Sequence, residues 1–158
     1  MASGDGLLLR VRPAMGRLDP TQMRALAAVA LAHGNGWVEL TARLSLQLRG
    51  LRAESVAPAT AALEAAGLID PNPAADARPA LLVAAAGDPG ALRDALAAAL
   101  ADAPPLPPKF GVGLDAGPRP MLAELSADAR IERDVKGRLL VVADGEPCGR
   151  PAAEADAP

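Results

Sequence analysis

Cysteine is nearly absent from this sequence: Cys148 is the only one in 158 residues. No disulfide can close within the chain, and a cluster that needs four thiolates cannot be held by it alone. Histidine is equally scarce. His33 stands next to Gly34, where a role at a helix end is the plain reading and a catalytic one has no support. There is no tyrosine, and Trp37 and Phe110 are the only aromatic rings, so a core has to be built from leucine, valine and alanine. Lysine occurs only at Lys109 and Lys136, which leaves arginine to carry most of the positive charge. Nor is there a basic excess. A net charge of −3 and a pI near 5.1 argue against a general nucleic-acid binder. Long apolar runs are missing too; Ala80–Ala86 falls far short of the roughly 20 residues a membrane span needs. The first residues, Met-Ala-Ser-Gly-Asp-Gly, have neither a cationic start nor an apolar signal core. A soluble, cytoplasmic protein with no nucleic-acid or membrane partner is expected.

What is present has clear punctuation. Leu7–Pro13 alternates as a strand ended by proline. Asp19-Pro20 then opens a helix, with Asp19 as N-cap, Pro20 in the first turn and Gln22 placed for a capping box. Met23, Leu26, Ala27, Ala30 and Leu31 give that helix an apolar stripe, and Gly34-Asn-Gly36 ends it. From Trp37 to Arg49 the chain alternates without a break. Val38, Leu40, Ala42, Leu44, Leu46 and Leu48 take one parity, while Trp37, Glu39, Thr41, Arg43, Ser45, Gln47 and Arg49 take the other. This is long for one strand, so a break near Thr41–Arg43 into two strands, or a bend, is expected. A second helix spans about Glu54–Ala66 and stops at Gly67, where Leu68 and Ile69 suit a Schellman contact.

Asp70–Pro79 is a turn and loop. Ala80–Ala86 reads as a buried strand, with helix as the open alternative because alanine dominates it. A helix over Ala91–Ala101, a stiff Pro104–Pro108 spacer and a short Lys109–Leu114 strand follow. Arg130–Arg133 and Leu139–Ala143 form a hairpin across Asp134-Val-Lys-Gly137. From Asp144 the composition is that of a frayed tail.

Two arginine-bearing strand faces could carry chemistry. Arg10 and Arg12 lie on the polar parity of the first strand, and Arg43, Gln47 and Arg49 on that of the central stretch. If the strands share a sheet, these guanidiniums gather on one surface, and their forks bind carboxylates and stack on flat rings. A large aromatic or macrocyclic polyacid fits that surface; an ordinary solvated strand face is the competing reading. Gly111-Val-Gly113 lacks the third glycine and the helix start that a phosphate loop wants. No metal site and no catalytic residue emerge.

Ser3–Pro13, Gly34-Asn-Gly36, Leu40-Thr-Ala-Arg-Leu-Ser-Leu-Gln-Leu-Arg-Gly50 and Leu106-Pro-Pro-Lys-Phe-Gly111, in that order, resemble the nitrite/sulfite reductase haemoprotein family, and within it the branch at work in cobalamin biosynthesis. The likeness runs from about Ser3 to Asp144. It implies a ferredoxin-like α+β half-domain followed by the start of the domain that houses the cofactors. In the reductases the arginine of the Thr-x-Arg motif contacts sirohaem and the anionic substrate, a role the resemblance carries to Arg43. It carries a second arginine to Arg78 and the lysine of the Lys-Phe motif to Lys109. The cobalamin branch oxidises a tetrapyrrole polycarboxylate with dioxygen. A four-iron–four-sulfur cluster and a tetrapyrrole, either substrate or sirohaem, are therefore implied for the family. Pro79 stands where the family usually has asparagine, and Gly111 where the reductases have a further basic residue. The cluster cysteines lie beyond the matched region. A truncated enzyme, or one half of a split one with a second polypeptide carrying the cluster, is the expectation.

The expected fold class is α+β. A βαββα ferredoxin-like half-domain covers 1–75, a partial second α/β unit 76–145, and a flexible tail 146–158. The expected function is that of a family polypeptide that binds a tetrapyrrole polycarboxylate and is not catalytic alone; a non-catalytic binding module or a remnant of the enzyme is the alternative. Arg43, Arg78, Lys109, Arg10, Arg12, Gln47 and Arg49 are the candidate ligand contacts.

Overall fold

A computed structural model describes residues 2–43, 45–72, 78–87, 90–107, 109–125 and 127–152. Leu44 of the alternating stretch, residues 73–77 of the loop, 88–89, Pro108 of the spacer and 153–158 of the tail lie outside the described residues. The chain divides into two units, Met1–Asp76 and Ala77–Pro158.

The first unit begins with a short β1, Ala2–Ser3, hairpinned to β2, Gly6–Val11. Helix α1 spans Pro20–His33. Its start is the capping box the sequence spells: Asp19 Oδ1 accepts the Thr21 and Gln22 amides at 2.7 and 2.8 Å, and Gln22 Oε1 accepts the Asp19 amide at 3.2 Å. Strands β3, Val38–Leu40, and β4, Leu46–Leu51, follow, then α2, Ala53–Ala65. Apart from β1, which was not expected, the order strand, helix, strand, strand, helix is the expected one. Alpha-2 ends in a Schellman motif: Gly67, at φ +65, donates to Glu64 O and Leu68 to Leu63 O, both at 2.9 Å. Leu68 is driven into the core there.

The sheet runs β1-β2-β4-β3, antiparallel throughout. Leu9 pairs with Leu48 and Leu48 with Val38, so these side chains share one face. The register slips between Leu7 and Leu9: Leu7 faces Leu51, and Gly50 at φ +70 takes up the extra residue as a β-bulge. The bulge returns Leu51 to the face of Leu48, although simple alternation would have put it on the other side. Val11, Leu48 and Leu51 from this face pack with Leu26, Val29 and Ala30 of α1 and with Ala59 and Leu63 of α2. Each fully buried leucine contributes on the order of 1.5–3 kcal/mol.

The expected stripe on α1 is corrected here. Leu26 and Ala30 are buried, but the third buried position is Val29, while Met23 and Leu31 are 52% and 75% exposed. Alanine fills so much of this helix that its apolar contrast does not fix a phase.

In the second unit β5, Ala80–Val83, is a strand, which closes the helix alternative for that segment. Helix α3, Ala91–Ala101, leads to β6, which spans Gly111–Asp115 rather than starting at Lys109. Beta-7, Ala129–Arg133, and β8, Leu139–Ala143, form the expected hairpin. The order is β5-β6-β7-β8-β9, with the first three strands parallel and the rest antiparallel. Every residue of β6 is buried, as suits a parallel strand flanked on both edges. The ninth strand, β9, spans Arg150–Ala152 and pairs with β8. It lies where a frayed tail was expected. An edge strand tolerates Pro151, because a proline there removes no ladder bond from a partner.

Candidate functional site

With both helices on one face of the first sheet, the other face is left to polar side chains. Antiparallel pairing puts Arg10, Gln47 and Glu39 in one row across β2, β4 and β3. Arg12 follows Arg10 just past the end of β2, and Leu8 precedes it. The alternation read from the sequence therefore does bring Arg10, Gln47 and Arg49 to one surface, while Arg12 lies past the end of β2, where strand parity no longer applies.

Arg49 is not simply one more cation on that surface. Its Nε and Nη2 donate to Asp5 Oδ2 and Oδ1 at 3.1 and 3.2 Å, and Nη1 donates to Glu39 Oε2 at 2.6 Å. These bonds, to Asp5 first and Glu39 second, raise its pKa above the ordinary arginine value. Asp5 also accepts Asn35 Nδ2 at 3.1 Å. One guanidinium thus ties the β1–β2 turn, the loop after α1 and the β3 edge together. Exposed pairs of this kind are screened by water and add little stability, so the cluster's effect is on geometry. Asp5 was not foreseen, because a partner 44 residues away in sequence leaves no local signal; Glu39 sat in view on the polar parity.

Arg43 departs from expectation in position. The long alternating stretch does break, and Arg43 is exposed in the turn joining β3 to β4 instead of lying on a strand face. Thr41 closes this loop: its amide donates to Ser45 O at 2.9 Å, and its hydroxyl lies 2.7 Å from Ser45 Oγ and accepts the Ser45 amide at 3.2 Å. The Thr-x-Arg-x-Ser pattern is thereby a hairpin tip that presents an arginine, with two hydroxyls spent on the loop itself.

At the opposite corner Trp37, 73% exposed, joins Asp5, Asn35, Val38, Glu39 and Arg49 around an open depression of about 460 Å³. Arg78 and Lys109 belong to the second unit, where both are exposed and flank the starts of β5 and β6. That unit also holds Asp115, 1% exposed at the end of β6, which no motif marked. Its Oδ2 accepts the Met121 and Leu122 amides at 2.6 and 2.7 Å, pinning the chain that follows β6. Its Oδ1 and the Arg130 Nε are buried with no hydrogen-bond partner among the described residues.

The donor chemistry does not suit a four-thiolate cluster. Cys148, exposed, is the only thiol in the sequence, and no group of three or more metal-ligating side chains occurs among the described residues. No helix among those residues is long and apolar enough to cross a membrane.

Two helices on one face of a four-stranded antiparallel sheet, in βαββα order after the short β1, define the first unit as a ferredoxin-like α+β half-domain with a further α/β unit after it. Residues 1–66, most of this unit, match the nitrite/sulfite reductase ferredoxin-like half domain. The chain is 39% identical over 151 residues to a precorrin-3B synthase from Sinorhizobium sp, an alignment covering 84% of the chain and 30% of the relative. It is also 37% identical over 71 residues to the assimilatory ferredoxin-dependent nitrite reductase of Haloferax mediterranei, covering 39% of the chain and 12% of that protein. The chain spans less than a third of either relative's length.

Proposed function

We propose that this chain forms a polyanion-binding wall for a tetrapyrrole polycarboxylate, within an enzyme activity of the precorrin-3B synthase kind. The observation that carries this reading is the sheet face opposite the two helices of its own unit: Arg10 stands in row with Gln47, Arg12 follows just past the end of β2, and the β3–β4 tip presents Arg43. Guanidinium forks at such spacing suit several carboxylates around the rim of a flat ring. The relationship to precorrin-3B synthase supports the ligand class. Arg78 and Lys109, exposed on the second unit, are proposed as further anion contacts.

The residues of this chain bind and orient; none is assigned a catalytic step. Thiolates for an iron–sulfur cluster come, on this reading, from a source outside this sequence.

Titration of the full chain with uroporphyrin, followed by the porphyrin's Soret band, tests the reading. Arg10→Ala, Arg12→Ala and Arg43→Ala are each expected to weaken binding by about 0.5–1.5 kcal/mol, since charge-assisted bonds at solvent-exposed sites are discounted by water. The loss should shrink at high salt. Binding indifferent to all three substitutions overturns the proposal. Tight, arginine-dependent binding that supports no oxidation, even with a cluster-bearing partner present, would instead favour a binding module.

A further inference from the structure

One face of the second sheet buries charged side chains near the ends of β6 and β7. Gly113 pairs with Arg130 and Asp115 with Glu132, and alternation puts these four positions on that one face. The glycine leaves room there: a Cβ on Gly113 would meet Arg130 Cγ at 3.3 Å, and Ala127 Cβ and Leu122 Cδ1 at 3.7 Å. The arginine stem therefore lies over Gly113, beside two residues of the segment that joins β6 to β7. Its Nε stands 3.8 Å from Glu132 Oε2, beyond hydrogen-bond reach.

Asp115, 1% exposed, is held from one side only. Both amide bonds, from Met121 and Leu122, go to Oδ2, while Oδ1 is buried with no partner among the described residues. The buried Nε of Arg130 is unspent in the same way. A buried acceptor and a buried donor thus share a face on neighbouring strands, two residues out of register, and do not bond each other. Groups of this kind almost always find a hydrogen bond. We infer that one internal water molecule is bound here, accepting from Arg130 Nε and donating to Asp115 Oδ1, with Glu132 Oε2 taking its second hydrogen. About three such bonds are the usual complement of a buried water, and a polar contact longer than about 3.5 Å is where a bridging one is found. The water ties the carboxylate that pins residues 121 and 122 to β7. Arg130 is then a positioning residue, orienting that carboxylate through the water.

Oxygen-17 relaxation dispersion of the solvent, measured on the full chain, counts internal waters by their long residence. Arg130→Met keeps an unbranched stem over Gly113 and removes the donor, so it is expected to lower the count by a single water. In a crystal structure of the unsubstituted chain, that water is expected about 2.5–3.2 Å from both Asp115 Oδ1 and Arg130 Nε. If Arg130→Met does not fold, the crystal structure decides alone. A direct Asp115–Arg130 bond, or a dry gap between the two atoms, overturns the inference. So does density whose occupancy follows the cation of the buffer, which would mean a metal ion instead. A count of internal waters unmoved by a folded Arg130→Met overturns it as well.

Discussion

Gly50 is a residue on which the first sheet depends through the side chain it lacks. Its φ of +70 lies in the left-handed region, and a Cβ there would sit 2.6 Å from Asn35 Cβ. Asn35 cannot easily retreat, because its amide donates to Arg49 O at 3.0 Å and its side chain bonds both Asp5 and the Trp37 amide. Gly50→Ala is therefore expected to cost about 1–3 kcal/mol, from backbone strain and overpacking together. A urea unfolding midpoint indistinguishable from that of the parent protein would remove this account of the bulge. The same corner shows how far single residues were legible. The parity of Gln47 and Arg49 follows from a period of two and needs no fold. The carboxylates that occupy Arg49 arrive from the β1–β2 turn and from β3, and which of them reaches it is decided by register, which alternation alone does not encode. Arg43 shows the limit most directly: one turn between Thr41 and Ser45 took it off the face to which parity assigned it.

At the scale of elements, what was readable was local. The capping box at Asp19 and the Schellman stop at Gly67 involve residues within a few positions of each other, so the sequence displays the whole interaction. The β7–β8 hairpin is another such case. Asp134 organises its turn: Oδ1 accepts the Lys136 and Arg138 amides at 2.8 and 2.9 Å, and Oδ2 accepts Arg138 Nε at 2.8 Å. The Arg138 amide first, then its guanidinium, hold this carboxylate's pKa below its usual value. A depressed carboxylate contributes stability that is fully present above the unfolded-state pKa, near 3.9, and is lost as pH falls through the lower folded value. An NMR titration of the Asp134 carboxyl should thus show a midpoint below that of a free aspartate, with Lys136 and Arg138 amide shifts following it. A midpoint at or above the free value would remove the turn's claimed dependence on the charge. Elements whose definition is non-local were not readable in this way. The stripe on α1 is the one packing selects, Leu26, Val29 and Ala30, and β9 formed from a Pro-bearing segment beside the open edge of β8.

For the whole molecule, the division at residues 76 and 77 has a physical basis in where the cores lie. The cluster of the first unit, from Val11 through Leu48 and Leu51 to Leu63 and Leu68, draws every member from the first 76 residues. Buried Leu82, Leu96, Val112, Leu114 and Val142 supply the second. A unit of this size buries only about 60% of the surface its unfolded chain exposes, so its margin is thin but sufficient for autonomous folding. The isolated fragment 1–76 is therefore expected to fold, with dispersed amide NMR signals and a cooperative urea transition. Leu48→Ala, at a position with no solvent exposure, costs about 2–5 kcal/mol. That is comparable to the whole stability of so small a fragment. The substitution should abolish the fragment's dispersed signals outright, while conservative Leu48→Met keeps them. A fragment that stays unfolded without any substitution would mean that this core does not suffice, and would locate part of the first unit's stability in residues beyond Asp76.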